Sequence, residues 1–135
     1  MIKYILDTNI VSYVLRKNPI VIDKLKQLPI AALFISSITE GELRFGLAKK
    51  PDAKVLHEMV EEFLKYVEVL SWNKDTAKTY GCLRASLEKQ GKSISSLDLL
   101  IASHAISVNA ILVTSDLSFQ NIESLKIENW LSSSL

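Results

Sequence analysis

Four acidic residues, Asp7, Glu42, Asp98 and Asp116, each stand where an apolar segment gives way to a helix start or a polar turn. Carboxylates in such places suit one chemistry above others, the holding of a hard divalent cation. Asp7 follows Tyr4-Ile5-Leu6, Glu42 comes soon after Leu33-Phe34-Ile35, and Asp116 follows Ile111-Leu112-Val113. Three of the four thus lie beyond the C-terminal ends of expected buried strands, the edge at which open parallel α/β sheets form their sites. Asp98 differs in kind, falling in the first turn of an apolar helix that begins near Ser95 or Ser96. Two carboxylates 4 Å apart repel by roughly 4 kcal/mol at an effective dielectric near 20, so a converging set is costly until a cation compensates it. Oxygen-only donors suit Mg²⁺ or Mn²⁺ rather than zinc.

Each acid also has a plain structural reading. Asp7-Thr8-Asn9 is a run of residue types preferred at helix N-caps. Thr39-Glu40-Gly41-Glu42 is a Thr-x-x-Glu capping box, in which Glu42 folds back onto the backbone of Thr39. Glu40 rivals Glu42 as a ligand, but the two point about 200° apart around a helix, so only one of them can be central. Asp98, set among Leu97, Leu99, Leu100, Ile101 and Ala102, needs a partner if buried or is stabilised by the helix N-terminus alone. Asp116 in Thr114-Ser115-Asp116 is either an ordinary turn residue or a carboxylate oriented by the neighbouring hydroxyls.

The elements that must position these residues alternate between strand and helix. Ile2 to Leu6 reads as a short buried strand, and Thr8 or Asn9 caps a helix running to about Lys17. Asn18-Pro19 restarts a helix striped by Val21, Ile22, Leu25 and Leu28, which Pro29 ends. Leu33 to Ser36 is the second strand; Thr39 starts a helix through about Lys50, and Pro51-Asp52 opens another carrying Val55, Met59, Val60, Phe63 and Leu64. A third strand, Val67 to Leu70, precedes a long helix from about Lys74 to Gln90, stopped by Gly91. Ser95 to Val108 is a largely apolar helix, Ile111 to Thr114 the fourth strand, and Lys126-Ile127-Glu128 a weak fifth at the edge. Such alternation predicts an α/β fold with a mostly parallel sheet and right-handed crossovers.

Composition limits the function classes. The chain has 135 residues and 48% hydrophobic content, enough for one domain over 1–135 with a core that needs no disulfide or structural metal. The lone Cys82, between helical Gly81 and Leu83, is expected to pack as a small hydrophobe in a reducing cytoplasm. No apolar run approaches the ~20 residues of a bilayer span, so a soluble, cytoplasmic protein is expected. A net charge of +1 excludes a domain-wide positive field; nucleic-acid contact must be local. Arg44, Lys49 and Lys50 downstream of Glu42, and Arg84, Lys89 and Lys92 upstream of Asp98, are the candidates, each of which also reads as solvated helix face. His57 and His104 form no closely spaced ligand pair, and His104 lies roughly 240° around its helix from Asp98. No Gly-x-Ser-x-Gly elbow, dinucleotide-binding Gly-rich loop or Walker A loop occurs.

Taken in order, Leu6-Asp7-Thr8-Asn9, Ser36-Ser37-Ile38-Thr39-Glu40-Gly41-Glu42-Leu43, Leu97-Asp98-Leu99-Leu100-Ile101-Ala102-Ser103-His104-Ala105 and Leu112-Val113-Thr114-Ser115-Asp116 resemble the PIN-domain ribonucleases, specifically the VapC-type toxins of bacterial toxin-antitoxin pairs. The resemblance covers nearly the whole chain. It implies a three-layer α/β/α fold around a parallel sheet and an acidic pocket that binds Mg²⁺ or Mn²⁺ for cleavage of RNA phosphodiester bonds, in a transfer RNA or another structured RNA. Asp7, Glu42 and Asp98 match the family's core acids and Asp116 its fourth; Asp7, Asp98 and Asp116 are the expected metal ligands. Thr8, Asn9, Thr39 and Ser115 fall at supporting positions, and Arg44, Lys49, Arg84 and Lys92 are expected on RNA. A cognate VapB-type antitoxin and a homodimer are the implied protein partners, with Tyr13, Val14, Leu43 and Leu47 marking a candidate groove. Two departures stand out: Ser95 where many relatives have Gly, and Thr114-Ser115-Asp116 where Thr-Asn-Asn or Thr-Asn-Asp is commoner. The alternatives are a phosphoacceptor signalling domain, which would pair acids after the first strand and place a Lys after a late one, and a catalytically silent PIN binding module.

Overall fold

The computed structural model describes residues 1–131, in the order β1 (Tyr4–Leu6), α1 (Thr8–Leu15), α2 (Pro19–Lys26), β2 (Leu33–Ser36), α3 (Ser37–Ala48), α4 (Lys54–Tyr66), β3 (Glu68–Leu70), α5 (Lys74–Lys89), α6 (Ser96–Ser107), β4 (Ile111–Val113) and β5 (Ile127–Glu128). The five strands form one parallel sheet ordered β3-β2-β1-β4-β5. The weak edge strand is real, and the α/β expectation holds.

Period-two alternation along the strands produces the layers. Ile5, Phe34 and Leu112 stand opposite one another in register and join a core cluster with Leu87 of α5 and Leu99, Ile101, Ala102 and Ala105 of α6. Leu6, Leu33, Ile35 and Val113 face the other way, onto Ile10 and Val11 of α1, Val21 and Leu25 of α2, and Phe63 of α4. Because helices cover both faces, the central strands β2, β1 and β4 are almost wholly apolar, while the edge strands carry Glu68 and Glu128, and the result is a three-layer α/β/α fold.

The chain steps from β1 to β2 and β3 on one side, then crosses to β4 and β5 on the other. The order therefore reverses between β1 and β4, and the crevice beyond their C-terminal ends is where open α/β sheets take their ligands. Asp7 and Thr114 are the residues that open onto it.

Four local expectations are corrected. The α1 cap is Asp7, not Thr8 or Asn9: its side chain accepts from Ile10 N. Helix α3 begins at Ser37 with Ser36 as its cap, the Ser36 hydroxyl accepting from Ile38 N, so the Thr39–Glu42 capping box does not form. Ser36 also meets the buried His104 Nδ1 at 2.7 Å, a tertiary contact that favours the earlier start. Helix α4 opens at Lys54 rather than at Pro51-Asp52, with no side-chain cap at Ala53. Cys82 is exposed, because it sits about 140° around α5 from the buried Leu87. Elsewhere the punctuation is as read: Asn18 caps α2 with Pro19 at its first position, and Gly91 after α5 takes a φ of 70°, the left-handed conformation that glycine adopts without strain. Among the described residues no helix is long and apolar enough to cross a membrane.

Candidate metal centre

Asp7 is the centre of the site. Its backbone N–H donates to Val113 O at 3.1 Å, extending the β1–β4 ladder by one step, and its side chain is held by both oxygens. Oδ1 accepts from Ile10 N at 2.9 Å, which caps α1, and Oδ2 accepts from the Thr114 hydroxyl. Thr114 is buried and acts twice, since its Oγ1 also accepts from Asp116 N at 3.0 Å. One hydroxyl thus joins the end of β1, the end of β4 and the loop that carries Asp116. Asp116 in turn accepts from Ser118 N through Oδ1 at 2.9 Å.

Asp98 arrives from the opposite layer. Ser95 caps α6 by accepting from Asp98 N at 3.3 Å, which puts Asp98 at the third helical position, half-buried, where exposed N–H groups favour a carboxylate. Asp7 and Asp98 both feel neighbouring negative charge. Burial pushes Asp7 above the usual carboxylate range; the Thr114 and Ile10 hydrogen bonds pull it back, and Asp98 and Asp116 push it up again. Asp98 is likewise raised by burial first, eased by Ser95, and raised further by Asp116. Glu42 lies half-buried on α3, the helix that leaves the same edge of the sheet after β2. Glu40 pairs with Arg44 at 3.0 Å.

Thr8 Oγ1, Thr39 Oγ1 and Ser118 Oγ are buried and have no hydrogen-bond partner within the described protein. Buried hydroxyls are seldom left so, and two of these three adjoin the acids, Thr8 next to Asp7 and Ser118 bound to Asp116. Asn9, by contrast, is exposed, and the hydroxyl supporting Asp7 is that of Thr114 rather than of Ser115. Three aspartates and spare hydroxyl oxygens form a hard, all-oxygen donor set. Among the described residues no three His, Cys, Asp or Glu side chains close into a ready-made cage. Mg²⁺ keeps several of its waters and takes one or two carboxylates rather than a full protein shell, so a cation site here would need fewer than three of these side chains as direct ligands.

The expected RNA contacts are all engaged. Arg44 bridges Glu40 and Glu61 at 3.0 and 3.2 Å, Lys49 lies over the Phe45 ring at 4.6 Å, Arg84 pairs with Glu88 and Tyr80, and Lys92 donates to Asn121 O. The residue after β4 that contacts Asp7 is Thr114, not the lysine that a phosphoacceptor domain would place there.

One pH dependence follows. An acid whose folded pKa exceeds its unfolded value near 3.8 makes the native state the tighter proton binder. The metal-free protein therefore keeps this contribution below the unfolded value and loses it as pH rises through the raised folded value. His104, which burial holds below its usual range, works in the opposite direction. Comparing chelator-treated wild type with Asp7→Asn removes the His104 term, and thermal melts between about pH 4 and 7 are expected to show wild type losing ground to the variant as pH rises. A pH-independent difference would refute the burial of an uncompensated charge at Asp7.

The comparisons with known proteins identify the family and the fold. A family model described as PIN domain matches residues 4–125. "Ribonuclease VapC2" of Haemophilus influenzae is 37% identical over 132 residues, spanning 97% of this chain and 100% of that protein. The "tRNA(fMet)-specific endonuclease VapC" of Salmonella typhimurium is 34% identical over 131 residues, spanning 96% and 99%. The crystal structure of VapBC2 from Rickettsia felis bound to a DNA fragment from their promoter superimposes with a TM-score of 0.87 at 36% identity, covering 96% of this chain and 99% of that one.

Proposed function

The chain belongs to the PIN-domain family, among the VapC ribonucleases, and from that premise we propose that it is a divalent-metal-dependent endoribonuclease toxin built as one PIN domain over residues 1–135. The observation that supports the reading is the placement of Asp7 at the strand-order reversal, tied through the Thr114 hydroxyl to Asp116, with the unpartnered Thr8 and Ser118 hydroxyls beside them. Asp7, Asp98 and Asp116 would hold Mg²⁺ or Mn²⁺, with Glu42 completing the pocket directly or through water. The ion supplies positive charge to a phosphodiester oxygen and makes water a better nucleophile. The protein's own contribution is to fix the acids in advance. Asp7 is immobilised through both oxygens, each of which keeps a further lone pair, while Asp116 is tethered through Oδ1 and presents Oδ2. Asp98 completes the set from α6, so substrate must enter between the β4 loop and the start of that helix. A transfer RNA or another structured RNA is the proposed substrate class, supported by the transfer-RNA endonuclease among the relatives.

The test is cleavage of total transfer RNA by purified protein across a metal titration. Cutting is expected with Mg²⁺ or Mn²⁺ and none after chelation; intact RNA throughout would favour the silent binding module instead.

A cognate antitoxin is the proposed inhibitor, in line with the paired VapBC2 complex, and a second copy of the chain the other proposed partner. A groove of about 700 Å³ runs between α1, α2 and α4, lined by Val14, Leu15, Leu25, Met59, Phe63 and Tyr66. This is the surface that fits an apolar antitoxin segment, and it revises the expected one: Val14 lines it, whereas Leu47 is buried and Leu43 packs against the core beneath. Met59→Asp is expected to abolish antitoxin capture while cleavage persists, since it charges the groove without touching the acids. Undiminished capture of the antitoxin by this variant would remove the groove from the interface.

A further inference from the structure

A second pocket, of about 150 Å³, opens between α5 and the start of α6, lined among others by Tyr80, Arg84, Glu88, Lys92, Ser96 and Leu99. Ser96 is the first residue of α6, two before Asp98, so the pocket adjoins the helix that carries Asp98 but opens on a different face of it. Its groups are held from beneath. Trp72, which follows β3 on the same sheet edge as Asp7, donates its indole N–H to Leu100 O at 3.0 Å and its backbone N–H to Ser37 Oγ at 3.1 Å. Tyr80 meets that indole edge-on, with centroids 6.0 Å apart, and Arg84 donates to Tyr80 Oη at 3.0 Å and to Glu88 at 3.1 Å. The Arg84 side chain is nevertheless 57% exposed, and Lys92 is anchored by Asn121 O at 3.0 Å, in the segment that follows Asp116.

An aromatic ring, a guanidinium plane, a carboxylate acceptor and hydroxyl groups in one small recess are the elements that take an unpaired base. Such bases stack on aromatic or guanidinium planes and hydrogen-bond along their edges. A phosphate would be poorly served beside Glu88, and the chain's net charge of +1 leaves no broad field to draw backbone alone. We propose that this recess is a nucleoside subsite, which takes one unpaired base of the bound RNA, with Tyr80 as the stacking face and Arg84 and Glu88 reading the edge. The assignment rests on the nuclease reading above but is tested apart from it.

The probe is a short, fluorescently labelled 2′-O-methyl oligoribonucleotide, which binds without being cut, measured by anisotropy. Tyr80→Ala and Arg84→Gln are each expected to weaken binding about tenfold, within the range for loss of one base stack, while Lys78→Gln on the exposed side of α5 binds as wild type. Tyr80→Phe keeps the ring but loses the Oη that anchors Arg84, and is expected to bind more tightly than Tyr80→Ala, which separates stacking from misfolding. An abasic site in the oligonucleotide should lower affinity for wild type and have no further effect on Tyr80→Ala. With cleavable RNA the same variants should raise KM with kcat held. Unchanged affinity in Tyr80→Ala and Arg84→Gln overturns the subsite, as does a wild type that ignores RNA and binds an acidic peptide through Arg84. A wild type that binds RNA through these residues yet cuts none refutes the nuclease reading and keeps the subsite.

Discussion

Asp7→Asn is expected to lower metal-dependent RNA cleavage by at least about 100-fold, because loss of even an outer-shell partner of a metal site commonly costs 10- to 100-fold and Asp7 is proposed to hold the ion itself. The substitution is chosen for what it preserves. Asn caps helices as well as Asp, so the acceptor for Ile10 N remains, and the new amide faces a Thr114 hydroxyl that can accept as well as donate. The fold is therefore expected to survive, with the metal-free variant melting no lower than wild type at neutral pH. Asp7→Ala would be a poorer test. It removes the α1 cap, worth about 1 kcal/mol, and strands the Thr114 hydroxyl, so lost activity and lost structure would be confounded. Cleavage by Asp7→Asn near the wild-type rate, with circular dichroism unchanged, would refute the assigned role.

Thr114→Val is the second large effect. The side chains are nearly isosteric, but the exchange is not neutral where the hydroxyl is bonded. Valine removes the donor to Asp7 Oδ2 and the acceptor of Asp116 N together, leaving a buried carboxylate oxygen and a backbone N–H short of partners at about 1–3 kcal/mol for such a group. A lower melting temperature is expected, together with a fall in cleavage of about 10- to 100-fold through loosened ligands. Thr114→Ser keeps the hydroxyl and should restore most of both. A Val variant as stable and active as wild type would mean that the observed hydrogen bonds do not position the acids.

Why Thr114 was less legible than the acids it serves is a matter of register. Apolar runs ending in Asp7 and Asp116 are visible in one dimension, and so is a polar residue in the first turn of an apolar helix at Asp98. A strand pairing is not. Once Ile5 is known to face Leu112 and Leu6 to face Val113, one further step sets Asp7 against Thr114, whereas the sequence by itself drew attention to Ser115. The start of α3 was ambiguous for a different reason. Ser36 and Thr39 are both good caps, three residues apart, and the contact between Ser36 and His104, 68 residues away, lies outside any local window. With that choice the structural explanation of Glu42 as a capping partner disappears, yet its distance from the aspartates depends on how α3 leaves the sheet, which no periodicity encodes. Cys82 failed more simply, since composition says that cysteines favour interiors while helical phase turns this one outward.

Helix α1 is short, and its two ends meet different surfaces. Asp7 begins it, and Val14 and Leu15, at its far end, line the groove. Eight helical residues rise about 12 Å, a span that roughly four extended residues can bridge. An antitoxin strand leaving the groove toward α1's origin would need only that much tail to lay a basic side chain among the aspartates. The short length of α1 therefore sets how far a groove-bound peptide would have to extend to reach the aspartates.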